Sequence, residues 1–202
     1  MEETMSTKEA ILSRLRSNTR ETYDMPSLKA LHAITYPDPV EEFKTKAQTV
    51  GGARLLEAKK GDDLNALICQ IYPDAGIIAS NLPGVEAQLN PDTVAQAQDL
   101  ETADVGVIQG HIGVAENACV WIPQTMKERA VCFASQRLVI LLSKENIVNN
   151  MHEAYARIEQ SDKYFRDYKF GTFISGPSKT ADIEGALVYG AQAARAVTIV
   201  LF

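Results

Sequence analysis

The chain is poor in the residues and patterns that most often mark a ligand site. It has only three cysteines in 202 residues, Cys69, Cys119 and Cys132, widely spaced and odd in number. Each sits among apolar neighbours, which fits buried free thiols, whereas a metal or iron–sulfur centre needs clustered ligands. The three histidines, His32, His111 and His152, show no metal spacing. Neither Gly-x-Gly-x-x-Gly nor Gly-x-x-x-x-Gly-Lys-Ser/Thr occurs, which excludes a standard dinucleotide site and a P-loop. The nucleophile elbow Gly-x-Ser-x-Gly is missing as well. There is no Lys/Arg run, and a net charge of −6 argues against a nucleic-acid surface. No apolar run approaches the ~20 residues of a membrane helix, and the polar first residues lack the apolar segment of a secretory signal. A mildly acidic cytosolic protein is expected, with no cofactor recognisable in its own sequence.

What is present is enough for a large core, with 46% hydrophobic residues. Residues 1–34 read as a helical extension: Ser6 and Glu9 form a capping box, and Ile11, Leu12 and Leu15 make a narrow apolar face. Residues 35–202 read as an α/β domain. Asp38-Pro39 opens a helix, boxed by Glu41, through Val40, Phe43, Ala47 and Val50, stopped by Gly51-Gly52. Ala53–Glu57 is a strand, Asp63 caps a helix with Leu64, Leu67, Ile68 and Ile71 on one face, and Gly76–Ser80 is a second strand. Asn90-Pro91 starts a short helix through Gln98. Two strands fill Asp104–Pro123, joined at Glu116-Asn117, and residues 126–134 form another short helix. Arg137–Leu142 is an apolar run buried on both faces. Ser143 caps a helix carrying Ile147, Val148, Met151, Ala154, Tyr155 and Ile158, and a polar loop spans Ser161 to Lys169. A helix holding Ile183 and Leu187 follows the stretch at 171–180, and Ala196–Phe202 is a final interior strand. Strands alternating with amphipathic helices predict a mainly parallel sheet flanked by helices.

Two stretches have chemical potential. Gly171–Ile174 leads through Ser175-Gly176-Pro177 into Ser178-Lys179-Thr180, a small polar loop opening a helix. Such a loop suits a phosphate or carboxylate at a helix N-terminus, with Lys179 adding charge. It equally suits a plain strand-to-helix connection, Thr180 being the N-cap and Asp182 and Glu184 complementing the dipole. At Glu116, a lone carboxylate between apolar strands suits a base or nucleophile, and Glu-Asn in a tight turn suits ordinary solvated turn chemistry. Gln109 and His111 precede it on a strand directed toward the same end.

The run Gly176-Pro177-Ser178-Lys179-Thr180-Ala181-Asp182-Ile183-Glu184 resembles the signature of the lactate utilization protein C family, or LUD domain. The resemblance is strong over roughly residues 103–202. It implies a fold similar to that of the sugar-phosphate isomerase and CoA-transferase group, with active sites in loops at strand ends. It also implies a setting, a cytosolic three-component system oxidising L-lactate to pyruvate, with iron–sulfur clusters only in the partner proteins. This chain would be the cluster-free component. Glu116 resembles the nucleophilic Glu of a Ser-Glu-Asn-Gly turn in CoA transferases, except that Ala118 replaces the glycine. Gly190-Ala191-Gln192-Ala193-Ala194 stands where the family has Gly-Val-His-Gly-Pro. The expected site residues are Glu116 for catalysis and Gly176, Ser178, Lys179, Thr180, Asp182, Gln109 and His111 for ligand binding. The alternative is a stand-alone enzyme or binder acting on a phosphorylated or CoA-like ligand.

Overall fold

The computed structural model describes residues 6–21, 23–27, 32–59, 61–161, 170–182 and 185–202. The chain divides into two units, Met1–His32 and Ala33–Phe202. In the first, α1 (Thr7–Asn18) starts at Ser6, whose hydroxyl accepts from Glu9 N–H while the Glu9 carboxylate accepts from Ser6 N–H, a complete capping box.

The second unit runs α2 (Pro39–Lys46), β1 (Arg54–Glu57), α3 (Leu64–Ile71), β2 (Ile78–Ala79), β3 (Val105–Gln109), β4 (Ile112–Val114), β5 (Cys119–Pro123), α4 (Val131–Ala134), β6 (Arg137–Leu142), β7 (Ile147–Val148), α5 (Met151–Gln160), β8 (Gly171–Ile174), β9 (Lys179–Thr180), β10 (Val188–Tyr189) and β11 (Ala196–Leu201). A five-stranded parallel sheet has the order β1-β11-β6-β3-β2. A four-stranded sheet, β7-β4-β5-β8, and the antiparallel β9/β10 pair complete the strands.

The alternation of side chains along β6 divides the core between the two faces of the parallel sheet. Val139 and Leu141 pack with Val105, Val107 and Val200 against Ile68 and Ile71 of α3. Leu138, Ile140 and Leu142 pack with Ile199 and Leu201 against Phe43, Val120, Ile122 and Val131. Both faces are covered, which is why β6 reads as an unbroken apolar run. A third cluster lies between the smaller sheet and α5, from Ile112, Val114, Cys119, Val148, Ala154 and Ile158. At the sheet's edge, Glu57 accepts from Lys144 and Lys44, and this pairing holds its carboxyl at about 2.

Several sequence expectations are corrected. Asp104–Pro123 holds three strands, because the chain leaves the parallel sheet at Gly110 and crosses to the smaller one. A Cβ at Gly110 would collide with Val120 and Ile140, so the crossing needs glycine. Ser143 does not cap the following helix. Ile147 and Val148 form β7 beside Gly113 and Val114, and Asn150 caps α5 by accepting from Glu153 N–H. Residues 91–93 make a turn, with a 3-10 turn only at Ala97–Leu100, and the 126–134 helix shrinks to the single turn of α4. Asp38 caps α2 through Val40 and Glu41 N–H, but the Glu41 carboxylate pairs with Lys44 instead of closing a box. Past Lys46 the helix widens into a π turn, Ala47–Gly51, which turns Val50 out to 63% exposure. Cys69 is exposed on α3, whereas Cys119 and Cys132 are buried, and burial pushes both thiols up to about 12. Among the described residues no helix opens after Gly176-Pro177. The chain there forms β9 and β10 instead, and Leu187 is exposed. Ile183, Glu184 and most of the Ser161–Lys169 loop lie outside the described residues.

Candidate functional site

The loop after β8 is fastened to the turn that precedes β1. Gly176 has φ +68, a left-handed conformation that disfavours any side chain, and a Cβ there would overlap the Gly51 carbonyl. Lys179 Nζ donates to Val50 O at 2.8 Å and to Gly51 O at 2.6 Å. These carbonyls end the π turn after α2, so the ammonium caps the negative end of a helix. Ser178 N–H donates to Ala194 O, and Ser178 O accepts from Gly190 N–H. Its backbone is thereby committed to the 190–194 segment rather than to a helix start. Among the described residues no helix N-terminus is formed here to receive an anion. The Gly and Lys of the run 176–180 hold another loop in place.

The β4–β5 turn meets this loop. Ser175 Oγ donates to Asn117 O at 2.9 Å, and Lys46 Nζ donates to Glu116 O at 3.1 Å and to Tyr36 Oη at 2.7 Å. Lys46 also pairs with Glu42 at 3.1 Å. The Glu116 carboxylate is exposed and accepts from Met151 N–H at 2.9 Å, the first amide of α5. It sits at a helix end rather than between the apolar strands. Ala118 closes the four-residue turn at φ 56, the one non-glycine with positive φ among the described residues. Ala118→Gly is expected to leave stability within about 0.5 kcal/mol in denaturant titrations. Relief of a left-handed penalty of about 1–2 kcal/mol is offset by about 0.4–1 kcal/mol of unfolded-state entropy and by about 0.8 kcal/mol for the lost methyl burial. A loss above 1 kcal/mol would show that the methyl packing against the Gly51 turn dominates.

Beside the loop is a cavity of about 370 Å³, lined among others by Cys132, Leu138, Gly176, Ser178, Lys179, Gln192 and Val197. Leu138 and Val197 lie at the starts of β6 and β11, so this cavity opens at the amino ends of the parallel strands. Gln192 belongs to the 190–194 segment that holds the Ser178 backbone. The structure thus brings the Glu116 turn together with Gly176, Ser178 and Lys179. Thr180 pairs with Val188 in the β9/β10 ladder, and Asp182 is exposed beyond it. Gln109 stands at the other end of the sheet, its Nε2 donating to Gly110 O at 3.0 Å and Leu141 O at 2.9 Å. His111 is half-buried at the start of β4, and its N–H donates to Trp121 O. The Val50–Gly52 turn and Lys46 were not expected at the site. Gly51-Gly52 was their one signal, and it reads locally as a helix stop.

Among the described residues no group of three or more His, Cys, Asp or Glu is placed to hold a metal ion, and no helix is long and apolar enough to cross a membrane. The protein-family model of the LUD domain matches residues 87–202. The chain is 33% identical over 109 residues to the lactate utilization protein C of Shouchella clausii (strain KSM-K16), covering 54% of this chain and 48% of the relative. It is 34% identical over 103 residues to the lactate utilization protein C of Geobacillus sp. (strain WCH70), covering 50% and 43%. The matched stretch therefore spans about half the length of these curated relatives. In fold it resembles the crystal structure of a DUF162 family protein from Deinococcus radiodurans, with TM-score 0.62 and 13% identity over 84% of this chain and 99% of that one. With the matching model covering more than half of its length, and the signature run lying in the matched part, the chain belongs to the LUD domain family.

Proposed function

We propose that this protein is the cluster-free component of a cytosolic system that oxidises L-lactate to pyruvate, contributing a substrate or partner site. The observation that carries this reading is the likeness to two relatives named lactate utilization protein C, together with the LUD domain match over residues 87–202, which hold the 176–180 loop. The geometry supports a binding role for that segment. Gly176 and Lys179 brace the turn before β1, Ser175 reaches the Glu116 turn, and a cavity opens beside the loop. Lactate oxidation also needs an electron acceptor, and cluster-bearing partners would supply it. The engagement of Glu116 with the first amide of α5 favours this reading over a stand-alone transferase using that carboxylate as nucleophile.

Two measurements test it. Tagged protein purified from its native host under anaerobic, reducing conditions is expected to bring down proteins containing iron and acid-labile sulfide. Deleting the gene is expected to abolish growth on L-lactate while sparing growth on pyruvate. Repeated purification without iron-bearing partners, together with unimpaired growth on lactate, overturns the proposal.

A further inference from the structure

The strand β1 ends the parallel sheet on one side, with β11 as its neighbour in that sheet. Its backbone groups can be assigned to one side or the other. Ala58 N–H donates to Leu201 O, so Leu56, two residues earlier, also turns its N–H and C=O toward β11. The N–H and C=O of Leu55 and Glu57 therefore point outward, and no described residue pairs with them. The chain itself closes the edge on either side of this pair. Ala53 N–H donates to Ala47 O at 2.8 Å. Lys59 N–H donates to the Asp62 carboxylate at 2.7 Å, and Lys59 O accepts from Asp62 N–H at 3.0 Å. What stays open is a short seam centred on Leu56.

We infer that this seam pairs antiparallel with the same seam of a second copy of the chain, about a two-fold axis at Leu56. An isologous contact must set outward residues against outward residues. Centred on Leu55, it would bring Glu57 to Ala53, whose N–H is spent. Centred on Glu57, it would bring Leu55 to Lys59, whose N–H and C=O are both spent. Centred on Leu56, Leu55 of each copy exchanges both bonds with Glu57 of the other, and every open group is satisfied.

The side chains agree with that register. Leu56, which packs partly buried on the α3 cluster, meets its own copy as a close non-hydrogen-bonded pair. Glu57 faces Leu55 of the second copy with its carboxylate already held by Lys44 and Lys144, so it brings no unpaired charge. Arg54 shares the face of Leu56 and comes opposite Ala58 of the second copy, whose chain leads at once to Asp62. Arg54 and Asp62 are both exposed, and neither has an ion-pair partner among the described residues. The two-fold axis sets each beside the other's opposite charge, twice over. Pairing also removes an edge that would otherwise be a template for foreign strands.

Sedimentation of the full chain from about 1 µM to about 1 mM is expected to show a reversible dimer, as suits a short seam. Residue-resolved amide exchange is expected to slow at least about tenfold at Leu55 and Glu57 as the dimer fills, and to stay unchanged at Leu56. Arg54→Asp and Asp62→Arg are each expected to weaken the dimer at least about tenfold, and the two together to restore it within about threefold. The inference is overturned if the chain stays monomeric throughout, if exchange at Leu55 and Glu57 ignores dimerisation, or if the double charge swap fails to restore what the single changes remove. None of these outcomes bears on growth on lactate or on iron-bearing partners, so this inference and the proposed function fail separately.

Discussion

Gly176→Ala will cost at least about 3 kcal/mol of folding free energy, read as a shift of the denaturant midpoint at constant slope. Two effects add. The left-handed backbone at φ +68 penalises a side chain by about 1–2 kcal/mol, and the new Cβ must displace the Gly51 carbonyl. That carbonyl cannot yield easily, because it also receives Lys179 and closes the π turn. Gly84→Ala isolates the first effect. Gly84 has φ +86, and a methyl group there would meet no heavy atom within 4 Å, so this variant is expected to lose only about 1 kcal/mol. Equal losses in the two variants would show that the contact between the 176 loop and the Gly51 turn contributes nothing.

Lys179→Met is the second large effect, about 1–2 kcal/mol. Methionine keeps the apolar stem and removes both ammonium bonds to Val50 O and Gly51 O. Bonds to a charged donor contribute up to about 1.5–3 kcal/mol each, but Val50 is exposed, and water replaces part of the loss. Because both residues act on one turn, Gly176→Ala and Lys179→Met are expected to be non-additive by more than about 0.5 kcal/mol in a double-mutant cycle. Strict additivity would show that Gly176 and Lys179 do not act through a shared turn.

Much of the layered fold could be read from local pattern. The unbroken apolar run of β6 announced a strand covered on both faces, and Asp63 with the Leu64–Ile71 stripe announced α3. Ser6 with Glu9 marked α1 down to its cap. What failed were places where a distant partner decides the structure. Ile147 and Val148 fit a helical stripe, yet Gly113 and Val114 claim them for a sheet. Ser178-Lys179-Thr180 fits a helix start, yet Ala194 and Val188 take its backbone and residue position into a ladder. The candidate site was legible to the same extent. The Glu116 turn and the 175–179 loop do meet, through Ser175 and Asn117, but the groups that brace the two, Lys46 and the Gly51 carbonyl, lie more than sixty positions earlier in the chain. Only the Gly-Gly pair hinted at it, and nothing local distinguishes a helix stop from a docking surface.

The place of β11 in the parallel sheet governs when the molecule can be completed during synthesis. Arg54 stands opposite Thr198, and β11 separates β1 from β6 throughout. At about 5–20 residues per second, β1 leaves the ribosome roughly 7–30 s before its partner exists. For that interval β1 has no neighbour in the parallel sheet, and the apolar edge of β6 that β11 will cover stays open. Pairing so remote in sequence also slows refolding toward the millisecond-to-second range. The nascent chain therefore carries an unpaired, apolar sheet edge until β11 emerges.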